Sequence, residues 1–182
     1  GSPGPVVGKL PIPRPDADAI CNDILARERL DVLISGERTS YLCPKTDAIV
    51  RLIRDGLGNS TQIVPRPEDI PEDIVKIAAY CPEGTAPYEQ EFQERWGGKY
   101  HVAVAGEVWL DFTLADKGMG LKKMCGILGV DLKEVLAFGD TFNDLSMLQS
   151  VGRPYLMENA ADALKALIPT RCVHVADVLR TL

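Results

Sequence analysis

Val135-Leu-Ala-Phe-Gly-Asp-Thr-Phe-Asn-Asp-Leu-Ser-Met-Leu148 is the stretch that decides the fold. Its apolar start, Val135–Phe138, predicts a buried strand, and Gly139 permits a sharp turn after it. A helix is predicted from there through Gln149. Asp140 and Asp144 stand four apart at the top of that helix, with Asn143 beside them. Open α/β sheets bind ligands at the carboxyl ends of their strands. Two carboxylates there suit a hard, oxygen-seeking cation such as Mg²⁺. The segment points to phosphoryl chemistry.

Working outward, residues 113–182 alternate strictly. A helix is predicted over Asp116–Leu128, a strand over Pro154–Met157, a helix over Ala160–Leu167 and a last strand over Cys172–Val175. Such β-α-β alternation implies parallel strands with right-handed crossovers, part of a doubly wound sheet. Three strands make a small parallel sheet, and parallel sheets are usually covered on both faces.

Residues 1–112 read differently, with 1–5 as tag or linker. The pattern predicts a short strand over Val6–Ile12 and a helix over Asp16–Arg29, whose apolar face is Ala19, Ile20, Ile24 and Leu25. Strands follow over Asp31–Ile34 and Thr39–Leu42, around a turn at 35–38. A helix over Lys45–Leu57 closes at Gly58. Ile74–Tyr80 is a strand and Pro87–Trp96 a polar helix. Tyr100–Ala105 and Val108–Phe112 form a hairpin. Mixed strands, helices and hairpins make this an α+β module.

Composition excludes several classes. The 182 residues carry a net charge of -6 and no basic patch, which disfavours nucleic acid and anionic membrane surfaces as partners. No apolar run is long enough to span a bilayer. Five cysteines, odd in number and without a CxxC, read as reduced thiols of a cytoplasmic protein. Gly1-Ser2 reads as a cloning remnant, with the natural start absent.

Ala115-Asp-Lys-Gly-Met-Gly-Leu-Lys-Lys123, followed by Phe138-Gly-Asp-Thr-Phe-Asn-Asp-Leu-Ser-Met-Leu148, resembles the haloacid dehalogenase (HAD) superfamily. Within it, the chain is most similar to the Cof-type sugar-phosphate phosphatases. Glu158-Asn-Ala-Ala161 and the helix after it are similar to the segment that follows in that family. The resemblance implies a partial Rossmann-like parallel sheet at 113–182 and an α+β cap at 1–112. It implies a Mg²⁺-dependent phosphatase that hydrolyses a small phosphorylated metabolite through an aspartyl-phosphate. Asp140 then matches the metal-binding carboxylate, and Asp144 the second acid, which supports the metal directly or through water or the lysine. Lys117 matches the lysine that neutralises nucleophile and phosphoryl group, and Asn143 a donor to the phosphoryl group. Lys122 and Lys123 read as solvated, His101 and His174 as structural, and Trp96 and Trp109 as packing residues.

One part of the family pattern is missing. The family needs an Asp-x-Asp nucleophile motif at the end of an N-terminal apolar strand, whose first aspartate attacks and whose second serves as acid and base. Asp16-Ala17-Asp18 has the spacing, but Pro15 precedes it and a helix follows, so Asp16 or Asp18 reads as a helix cap. Ser35-Gly36 only superficially matches the family's second motif. The expectation is a fragment without the nucleophile strand. The edge of the Val135–Phe138 strand would then be covered by another chain, a swapped element or a repacked segment, through a dimer or the missing N-terminal segment. The alternative is a non-catalytic ligand-binding or interaction domain derived from such a phosphatase.

Overall fold

A computed structural model describes residues 6, 8–58 and 60–181 of the chain. Its contacts group into two compact units, one of Gly8–Leu114 and one that holds Ala115–Leu182. The fold is of the α/β class.

The first unit is built on a six-stranded sheet. Its strands are β1 (Asp31–Gly36), β2 (Ser40–Leu42), β3 (Thr61–Ile63), β4 (Ile74–Tyr80), β5 (His101–Val104) and β6 (Trp109–Thr113), in the order β3-β2-β1-β4-β6-β5. All neighbours are antiparallel except β2 and β3. Period-two alternation sorts the side chains. Val32, Ile34, Ile77, Leu110 and Phe112 meet Ile20 and Ile24 of helix α1 (Arg14–Leu25) and Phe92 of helix α3 (Ala86–Trp96). On the other face, Leu42 and Tyr80 meet Ile49 and Ile53 from helix α2 (Asp47–Arg51) and the π-helical turn Leu52–Gly56 that extends it.

Three sequence expectations are corrected in this unit. The residues of 8–13 form no strand; Ile12 donates one backbone bond to Ile74 at 2.8 Å, and Pro11 and Pro13 lack the donors a ladder needs. The expected strand also includes Val7, which lies outside the described residues. Helix α1 starts at Arg14, because Pro15 falls in its first turn, where a fixed φ and a missing N–H cost nothing. It stops at Leu25, short of Arg29. β3 lies in the polar, proline-containing stretch and has only three residues, too short a run to signal itself.

The second unit holds three parallel strands, β7 (Leu136–Gly139), β8 (Arg153–Met157) and β9 (Arg171–Cys172), in that order. Helix α4 (Lys117–Leu128) enters through an N-cap, since the Asp116 carboxylate accepts from the Met119 N–H at 2.7 Å. The helix expected after Gly139 is broken up. A 3₁₀ turn, Phe142–Asp144, leads into the one-turn helix α5 (Leu145–Leu148). Helix α6 (Asp162–Leu167) connects β8 to β9. β9 stops at Cys172, and the expected continuation to Val175 instead opens helix α7 (Val175–Leu179), with His174 at its cap position rather than in a strand. Ala137 and Leu156 of the sheet pack with Leu148, Ala160, Leu164 and Ile168 in a small core. β7 pairs only with β8 and is an edge strand among the described residues.

Candidate active site

The structure gathers Lys117, Asn143 and Asp144 at the carboxyl end of β7. The turn after the strand is pinned by one carboxylate. Asp144 is 5% exposed, yet ionised groups are seldom buried without partners. One of its oxygens accepts from the Asp140 N–H at 3.0 Å and the Thr141 N–H at 3.2 Å. The other takes the Lys117 ammonium in a short ion pair. Burial pushes the Asp144 carboxyl up, but Lys117 and the two backbone donors outweigh it and hold the group below its ordinary value.

Gly139 makes this possible by its missing side chain. A Cβ there would lie 2.5 Å from the Asp144 Cβ, so only glycine lets the acid fold back over the strand end. On the facing helix, the Gly118 N–H donates to the Ser146 hydroxyl at 3.2 Å and locks the start of α4 to α5. That contact brings Lys117 within reach of Asp144.

Asn143 is oriented by its carbonyl oxygen, which accepts from the Thr141 hydroxyl and from the Lys117 ammonium at 3.4 Å. Its amide NH₂ remains available to an acceptor. Asp140 differs from Asp144: its side chain is exposed, and among the described residues its carboxylate makes no hydrogen bond or ion pair. One open carboxylate beside a fixed ammonium and a free amide can hold a cation and a phosphoryl group together. Among the described residues no group of three or more His, Cys, Asp or Glu side chains converges as a metal site. The donor set still fits Mg²⁺, which is commonly held by one or two carboxylates, substrate phosphate oxygens and waters.

Thr141 and Ser146 are site residues that the motif reading missed. Thr141 stands three residues before Asp144, the spacing of a capping box, and that signal was present in the sequence. Ser146 left no comparable sign.

The other acidic candidates are occupied elsewhere. Asp16 lies inside α1, not at its cap, and holds Lys99 and the Tyr100 hydroxyl. Asp18 accepts from Arg14 Nε at 2.8 Å. Ser35 sits in the antiparallel β1–β2 hairpin, opposite Ser40, not after a parallel strand. The Trp96 indole donates to Asp23 at 2.9 Å, and the Trp109 ring lies 4.8 Å from Tyr80, so both pack. All five cysteines are free and buried. No described helix is long and apolar enough to cross a membrane.

Gly139, Asp140 and Asp144 thus lie on one strand-turn-helix, joined by Lys117 from the preceding helix. The profile of haloacid dehalogenase-like hydrolases matches residues 4–176, and the chain belongs to that family. It is 43% identical over 104 residues to the HMP-PP phosphatase of Escherichia fergusonii, covering 55% of this chain and 38% of the relative. It is 31% identical over 123 residues to the 5-amino-6-(5-phospho-D-ribitylamino)uracil phosphatase of Bacillus subtilis, covering 67% of this chain and 42% of the relative. The chain thus spans well under half the length of these two curated relatives. A solved structure from Streptococcus mutans shares the fold with a TM-score of 0.77 at 21% identity, covering 94% of this chain and 68% of that one.

Proposed function

We propose that the chain is the lysine- and metal-binding half of a phosphatase that hydrolyses a small phosphorylated metabolite of the sugar-phosphate class. The observation that carries this reading is the division of labour between the two acids. Asp144 is saturated by protein donors, while the Asp140 carboxylate is left open beside Lys117 and Asn143. The relatives' names agree in substrate chemistry, since each acts on a phosphorylated metabolite.

Each side chain then has a task. Asp140 would hold Mg²⁺, and the ion would supply charge neutralisation to the phosphoryl oxygens. Lys117 offsets the negative charge that gathers as nucleophile and phosphoryl group approach. Asn143 donates its amide to a phosphoryl oxygen. Asp144 is a positioning residue, which holds the Lys117 ammonium and fixes the turn that presents Asp140. The attacking aspartate and its acid-base partner come from outside this sequence, because Asp16 and Asp18 are ion-paired on a helix. Attack by that aspartate on phosphorus would break the bond to the leaving oxygen, and water would then cleave the aspartyl-phosphate. The Gly8–Leu114 unit serves as the cap that excludes water and selects the leaving group. Taken alone, the chain is a ligand-binding domain, and it works in the cytoplasm.

Two measurements on the purified chain test this. Titration with Mg²⁺, followed by amide NMR shifts, is expected to perturb 139–144 and to lose the effect in Asp140→Ala; an unaltered response in that variant would refute the metal assignment. In an assay with p-nitrophenyl phosphate and Mg²⁺, the chain alone is expected to show no turnover. Turnover that Asp140→Ala abolishes would mean that the chain holds a complete site.

A further inference from the structure

A cavity of about 500 Å³ opens in the Gly8–Leu114 unit, between the end of α1, the loop that follows β2 and the end of β3. Leu25, Pro44, Ile63, Val64 and Pro65 supply its apolar walls, and Lys45 is the charged residue of the lining. The Cys43 side chain lines it too. Burial pushes that thiol up to about 11, so it is a neutral wall and not a nucleophile.

The walls are built into the fold. The Val64 N–H donates to the Leu42 carbonyl at 3.0 Å, which carries the β2–β3 ladder one residue past Ile63. Pro44 and Pro65 each have a fixed φ. The loop after β2 is clamped by Asp31, which is 7% exposed. Its carboxylate accepts from the Lys45 N–H at 2.8 Å and from the Thr46 hydroxyl at 3.1 Å. Asp31 is thereby spent on the Lys45 backbone and not on its ammonium.

That ammonium donates to the Arg27 carbonyl oxygen, just past α1, where the helix dipole favours a cation. Among the described residues it makes no ion pair. An ammonium carries three donors. Burial pushes Lys45 below its ordinary value, ahead of the attraction of Asp31 and Glu28. Hydrogen bonds to carboxylates instead hold Lys9 and Lys99 above theirs. Lys45 is therefore a cation short of negative charge, set beside an apolar cavity.

We propose that this cavity binds a small organic carboxylate with an apolar body, such as one ring or a short branched chain. The body covers the apolar walls and the carboxylate meets the Lys45 ammonium. Small-molecule sites of this size are mostly apolar, with a few polar groups that fix orientation. Inorganic phosphate fits less well. It would leave the walls wet, and its second charge would face Glu68 and Asp69, whose charges already act on the Cys43 thiol. The site draws on no residue of the Ala115–Leu182 unit, so it stands or falls apart from the phosphatase reading.

The probe is benzoate, titrated into the chain and followed by amide NMR shifts. Saturable shifts are expected at Cys43, Lys45 and Val64, with 139–144 unmoved. Benzamide has the same ring without the charge and is expected to bind about tenfold more weakly, the loss of one charge-assisted contact. Benzoate should bind Lys45→Met more weakly by a similar factor. That variant keeps the backbone N–H held by Asp31, and the benzamide comparison needs no variant at all. Val64→Trp, which fills the cavity, should abolish the shifts. The proposal is overturned by the absence of saturable shifts at those amides, by equal binding of benzamide, or by either variant binding benzoate as the parent does. Tighter binding of inorganic phosphate than of benzoate at the same amides would mark a plain anion site and overturn it as well.

Discussion

Lys117 and Asp144 show what a single ion pair does in this site. The pair is neither a free surface bridge nor a sealed one, because Lys117 is half exposed while Asp144 is buried. Removing the ammonium in Lys117→Met leaves a buried carboxylate with only its Asp140 and Thr141 donors. We expect a loss of about 1–2 kcal/mol in urea unfolding, after discounting for the exposure of the lysine. The pH dependence has a definite sign. Asp144 is held below its ordinary value of 3.8, so its contribution is present above that pH and is lost as pH falls through the depressed folded value. In Lys117→Met the folded value rises, so this acid-sensitive part of the stability should disappear or move to higher pH. Urea titrations between pH 2 and 6 on both proteins check it, and identical profiles would refute the role given to Lys117.

At the scale of elements, the start of α4 is held against α5 by the absence of a side chain. A Cβ on Gly118 would come within 2.6 Å of the Ser146 carbonyl oxygen, which is backbone and cannot swing aside. Gly118→Ala should therefore cost about 1–3 kcal/mol by overpacking, although alanine is the better helix former. A thermal melt that shows equal or greater stability would contradict this packing. Much of this level was legible beforehand. β4, β8, α3 and α4 lie within a residue or two of their expected bounds, because each carries a clear period or cap. The continuous helix expected after Gly139 gives way because Asp144 turns back to bind the Asp140 and Thr141 N–H groups, which tightens the chain into a 3₁₀ turn. Local pattern cannot report that contest between side chain and backbone.

The whole molecule is unevenly built. The Gly8–Leu114 unit has two apolar clusters with many fully buried side chains, whereas the core of the Ala115–Leu182 unit has six buried residues. Stability follows apolar area removed from water, so the second unit should open first. Both tryptophans, Trp96 and Trp109, lie in the first unit. Tryptophan fluorescence therefore follows that unit alone, and far-UV circular dichroism follows both. We expect the dichroism transition to begin at lower urea than the fluorescence transition; coincident curves would show one cooperative block. A polypeptide of residues 8–114 should likewise keep a cooperative fluorescence transition, since its two clusters draw on no residue beyond it.

The sequence by itself determined the family and where its charged motif lies. Asp140, Asn143 and Asp144 follow an apolar strand, with Lys117 upstream, because short-range pattern and spacing are enough to place them. Only the tertiary structure separated the two acids, which look equivalent in the motif. Asp144 is spent on Lys117 and the turn, while Asp140 stays open, and that difference depends on which donors the fold brings to each carboxylate. A run of apolar residues says that burial is favourable, but only the packing of the other elements determines which side they bury.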